Sequence, residues 1–225
     1  MSLYSLIVEN KFILEAFYAL IICSICMLIV LKTDKFYKLS LHRGIRYFRN
    51  AFFFYGVAFA VRYLFGIFSD FSLHYAFVFG MMFEYFLIMA GFFLLYSLIY
   101  RKIESPTEYY KSSLLNPKIF VFHIMALMIS VFGYLWQTYS FMFFSQIAVF
   151  FCAMIISLVN HKRYGKQRKF LKFYFIAMFF GLAAWTLNLL VALLFNWNPA
   201  LLINIGMINV IFFLLFLYGV IKFTK

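Results

Sequence analysis

Acidic residues are scarce in this chain: seven Asp and Glu stand against twenty Lys and Arg, with three prolines, three cysteines and four histidines among 225 residues. Each shortage removes a class of chemistry. There is no paired acidic motif of the kind that holds Mg²⁺ against a diphosphate. His42, His74 and His161 fall in or beside expected loops, and only His123 lies within an apolar run. An intramembrane zinc hydrolase needs three ligands converging on one metal, so none is expected. Nor does any serine stand near a histidine and a carboxylate at one depth, as nucleophilic catalysis requires. The chain is therefore not expected to be an enzyme, and no cofactor or metal is implied. Cys23, Cys26 and Cys152 all lie in apolar runs, which argues for packing residues and against a disulfide framework. Pro106, Pro117 and Pro199 lie in loops or at the edges of apolar runs, so no run is broken by proline.

Apolar residues are abundant. They make up 67% of the chain, including 35 Phe and 17 Tyr, and only 12% of residues are charged. Soluble domains sit near half apolar, so the class is an integral membrane protein in one domain, residues 1–225. A span needs about 20 apolar residues to cross roughly 30 Å of hydrocarbon. Seven runs qualify: Phe12–Leu31, Ala51–Phe68, Tyr75–Tyr100, Ile119–Trp136, Phe141–Leu158, Phe173–Phe195 and Leu201–Phe223. They must be helical, because an open sheet would leave backbone groups unpaired in lipid. The fold class is an all-α, polytopic seven-helix bundle. The weakest boundary is Gln137–Ser140, where four polar residues could also sit within one long bent helix. Glu9 and Lys11 precede the first run and no small-residue cleavage site follows, so a cleavable signal is not expected.

The charge is placed asymmetrically. Residues 32–50 carry six Lys and Arg, residues 101–118 four and residues 160–172 six, with Lys222 and Lys225 at the end. In an alternating bundle all these segments lie on one side. The positive-inside rule then puts the N-terminus outside and the C-terminus in the cytoplasm, with the basic side on anionic headgroups. A net charge of +13 so distributed speaks for a membrane surface and against nucleic acid. The expected location is the plasma membrane.

FYGVAF at residues 54–59 has a counterpart in FFGLAA at residues 179–184, an offset of 125, and each follows a basic segment. Extending that offset sets spans one to three against spans five to seven, with span four as connector. This 3+1+3 plan resembles, in architecture, the seven-span families with parallel three-helix halves: the sugar-efflux and PQ-loop transporters and the opsin-like bundles. No diagnostic family motif accompanies it. Opsins carry retinal on a mid-membrane lysine of the last span; here that span has only Lys222, at its end. The transporters hinge on prolines inside spans, and here there are none.

Charges inside apolar runs are costly, several kcal/mol each on insertion scales, and mark functional candidates. Arg62 and Glu84 lie about 10 Å and 13 Å below the outer surface at 1.5 Å per residue, near enough in depth to form an ion pair between spans two and three. Gln146, Asn188, Asn209 and Glu15 share the outer half, and Trp185 lies one position off the Gly181–Asn188 face. His123, near the cytoplasmic end of span four, reads as interfacial. Each polar residue could be interhelical glue, yet glue should scatter through the depth and these cluster. Two functions follow. One is a transporter or facilitator of a small polar solute, with Arg62 and Glu84 in its site. The other is a receptor, sensor module or accessory subunit that works through a membrane or cytoplasmic protein partner.

Overall fold

A computed structural model describes residues 11–68, 73–103, 114, 117–164, 170–194 and 199–223. These form seven helices: α1 (Lys11–Ser40), α2 (Arg43–Phe68), α3 (Leu73–Ile103), α4 (Pro117–Leu135), α5 (Ser140–Tyr164), α6 (Phe170–Leu194) and α7 (Pro199–Phe223). Among the described residues α1, α3, α4, α5 and α6 are long and apolar enough to cross a membrane. In α7 the part of the apolar run whose side chains are described is Gly206–Lys222. In α2 Arg43, Arg46 and Arg49 precede the apolar run and Arg62 lies within it. The surface agrees with a membrane protein: Phe17, Leu20, Met27, Phe120 and Leu194 are all more than half exposed, while Gln146 and Ser130 are fully buried. Water would enforce the reverse.

The helices alternate in direction, because contacts join the same ends of neighbouring elements. At the basic end Asp34 of α1 pairs with Arg49 of α2, and the His42 Nε2–Tyr100 hydroxyl bond, 3.0 Å long, joins the start of α2 to the end of α3. At the opposite end Tyr18 of α1 meets Phe59 of α2, ring centroids 5.7 Å apart. Each helix packs on its chain neighbours, and α1 also meets α7 while α3 meets α5. The order α1–α2–α3–α5–α6–α7 thus closes into a ring. Among the described residues α4 stands outside it, touching α3 and α5. Large aromatics fill the interior. Phe52 of α2 meets Phe213 and Phe216 of α7 at 6.1 and 5.0 Å, Phe48 of α2 meets Tyr174 of α6 at 6.1 Å, and Phe150 of α5 meets Phe212 of α7 at 5.5 Å.

The segment read as a polar loop at residues 32–50 is almost wholly helical. Helix α1 runs nine residues past Leu31, turns at Leu41–His42, and α2 begins at Arg43. Lysine and arginine are good helix formers whose heads can reach water along long apolar stems. The doubtful break at Gln137–Ser140 is a true turn. Gln137 adopts φ 49°, with Gln137 N–H donating to the Tyr134 carbonyl at 3.0 Å and Thr138 N–H to the Gly133 carbonyl at 2.9 Å. That pair of bonds is the Schellman termination of a helix, here with glutamine where glycine is usual.

Candidate functional site

Glu84 is buried, 5% exposed, on the face of α3 that meets α4. Its Oε2 rests on Gly133, whose missing side chain makes the room: a Cβ there would lie 2.5 Å from the oxygen. The carbonyl oxygen of Thr138 lies 3.3 Å from the same point. Among the described residues Oε2 has no hydrogen-bond partner.

The ion pair expected between Arg62 and Glu84 does not form. Arg62 is exposed, and its guanidinium carbon lies 5.2 Å above the Phe83 ring. Consecutive helix positions point about 100° apart, so when Phe83 faces α2, Glu84 is turned towards α4. Equal depth did not supply a shared direction. Arg62 instead lies near Tyr18, as does the Asn209 side chain, so α1, α2 and α7 bring three polar side chains together. Gly206, one turn from Asn209, leaves the Tyr18 ring room at 3.6 Å.

Gln146 is fully buried on α5 and reaches the same face of α3 as Glu84. Its Nε2 donates to the Leu87 carbonyl at 3.1 Å, and its Oε1 has no partner, resting 2.8 Å from where a Gly91 Cβ would stand. Two polar side chains are thus each seated on a glycine of a neighbouring helix.

The remaining candidates do not join these groups. Asn188 donates its amide to Ala184 of its own helix at 2.9 Å. The Trp185 ring lies 6.0 Å from that of Phe143. The Glu15 side chain lies outside the described residues. The single outer cluster therefore divides in two: Glu84 with Gln146 between α3, α4 and α5, and Arg62, Tyr18 and Asn209 between α1, α2 and α7.

Sequence reasoning missed Tyr18 and Tyr85, since tyrosine in an apolar run reads as an interfacial or core ring. The Tyr85 hydroxyl bonds to His123 Nδ1 at 2.6 Å, and His123 Nε2 bonds to the Leu114 carbonyl at 3.0 Å. With Nε2–H donating to the carbonyl, Nδ1 is the acceptor and Tyr85 the donor. This fixes the tautomer and ties α3 to α4. Both ring nitrogens of His123 are therefore engaged by protein groups. Among the described residues no group of three potential ligands could hold a metal ion.

Compared with known proteins, the chain matches no protein family, no curated protein and no solved structure.

Proposed function

We propose that the chain is a seven-span bundle, N-terminus outside and C-terminus cytoplasmic, built of two parallel three-helix halves, that carries a small polar solute across the plasma membrane. The observation carrying this reading is where the polar side chains sit. With α1–α3 as one half and α5–α7 as the other, the halves meet at two seams, α3 with α5 and α1 with α7. Gln146 of α5 bonds to the Leu87 carbonyl of α3 at the first, and Tyr18 lies near Asn209 at the second. The sequence offset supports the halves. Gly56 of α2 touches Cys26 of α1, and Gly181 of α6, 125 residues on, touches Phe150 of α5, one position from the counterpart of Cys26. The same offset carries Glu84 onto Asn209. Polar groups on the surfaces along which two halves could rock, around an aromatic interior, suit alternating access better than a fixed pore.

In this reading Arg62, Tyr18 and Asn209 hold an anionic or polar part of the solute, and Glu84 holds the coupling charge. Flux of glucose, glycine and lactate into proteoliposomes tests it with neutral, zwitterionic and anionic probes. Flux of one that is lost in both Arg62→Ala and Glu84→Gln supports the site. Flux unchanged by the double substitution removes it.

One observation favours the second reading. Helix α1, at about 1.5 Å per residue, is roughly 45 Å long, more than a bilayer core needs. Its last turns are braced by Asp34 with Arg49 and Lys38, and Arg46 and Arg49 lie 6.0 and 5.8 Å from the Tyr37 ring. A rigid basic hairpin of this kind suits a cytoplasmic protein partner. Co-purification with a fixed partner, and no solute flux, would select it.

A further inference from the structure

The surroundings of Glu84 specify more than a polar seam. Its Oε2 finds no donor, and what it shares on the Gly133 ledge is another acceptor, the Thr138 carbonyl. Two acceptor oxygens that both approach one glycine, in a medium of low dielectric, favour a positive particle beside them. Among the described residues the neighbouring helices do not supply it. On α2, Arg62 is exposed and lies over the Phe83 ring; on α4, His123 is engaged by Tyr85 and the Leu114 carbonyl; on α5, Gln146 is neutral and gives one amide N–H to the Leu87 carbonyl. Tyr85, next on α3, points its hydroxyl to His123. Gly80 lies one turn from Glu84 on the same α3 face, towards the end away from the basic segments, and nothing stands within 4 Å of where its Cβ would be.

We propose that Glu84 Oε2 and the Thr138 carbonyl oxygen form a binding site for a monovalent cation, a proton or a sodium ion, entered past Gly80. A proton on Oε2 would be donated to the Thr138 carbonyl; a sodium ion would bridge the two oxygens, the hard ligands such a cation takes. The site deepens the transport reading by naming the coupling ion, and its test is independent of flux.

The experiment is infrared spectroscopy of the full chain in detergent, read at the carboxyl C=O stretch, with Glu84→Gln to assign the band. The expected result is a protonated-carboxyl band, absent from Glu84→Gln, that disappears as pH rises or on replacing choline chloride by sodium chloride at fixed pH. Loss with pH alone assigns the proton, and loss on adding sodium assigns sodium. Should Glu84→Gln not fold, a band shifted by Glu84→Asp makes the assignment. A Glu84 signal that is that of an ionised carboxylate throughout, insensitive to both pH and sodium, overturns the proposal. A responsive band in a protein that moves none of the probes leaves the site standing and removes the transport reading.

Discussion

Glu84 and Gly133 are fitted to each other: the carboxylate oxygen occupies the space that any larger residue at position 133 would fill, 2.5 Å from where its Cβ would stand. In a helix interior Gly→Ala ordinarily gains about 0.5–1 kcal/mol in backbone entropy. Overpacking costs about 1–3 kcal/mol, so here the clash wins. Gly133→Ala is expected to lower thermal stability in detergent, and Glu84→Ala to restore much of it. Losses that simply add in this pair would mean the two residues do not touch.

Gln146 and Gly91 form the second such fit, with a different expectation. Leucine in place of Gln146 removes both the donor and the partnerless Oε1, and the Leu87 carbonyl keeps its own helix bond. Gln146→Leu should then change stability by less than about 1 kcal/mol, since removing both polar ends together is nearly neutral. Gly91→Ala should cost about 1–3 kcal/mol. Unfolding midpoints of the two variants in one detergent decide the matter, and a costly Gln146→Leu with a harmless Gly91→Ala would reverse the assignment.

Arg62 and Glu84 face different neighbours, so their substitutions should be independent. In a double-mutant cycle of Arg62→Met and Glu84→Gln, the effects on stability should add within about 0.5 kcal/mol. A buried ion pair broken from one side would instead cost about 3–5 kcal/mol and couple strongly. Measured coupling above about 1 kcal/mol would restore the pairing.

Two turns carry residues in the left-handed region, Leu41 at φ 52° and Gln137 at φ 49°. Such a conformation costs an L-residue roughly 1–2 kcal/mol, and glycine is free of it. Leu41→Gly and Gln137→Gly should each raise the unfolding temperature, by a net gain of about 0.5–1 kcal/mol after glycine's larger unfolded-state entropy. Valine at either site should lower it. Scanning fluorimetry on the four variants checks the signs.

Composition and run length were enough to read the helical membrane class, because a bilayer demands long apolar helices and no soluble core needs so many. The turn at Gln137–Ser140 was legible from its four polar residues. Site geometry was not. Depth along a helix can be counted from sequence, but direction around it depends on which neighbour each face meets, and that is a tertiary fact. Arg62 and Glu84 agree in depth and differ in direction. Tyr18 was overlooked because its neighbour, Asn209, lies 191 residues away on a helix that becomes adjacent only when the ring closes. Gly133 could be seen as a small residue, whereas its role as the seat of a carboxylate could not.

The position of α4 outside the ring has a consequence of parity. Three passes leave the chain on the face opposite its start, and a fourth returns it, so α5 begins where α1 begins and runs the same way. A helix that adds little to the packing therefore sets the polarity of everything after it. Removing α4 would leave the six ring sequences intact and yet turn α5–α7 upside down, so that neither α3 with α5 nor α1 with α7 could meet as they do. Exchanging its lipid-facing residues for other apolar ones, with Ile119, His123, Ala126, Ser130 and Gly133 kept, should by contrast pass almost unnoticed, because what the fold takes from α4 is one crossing and a narrow inner face.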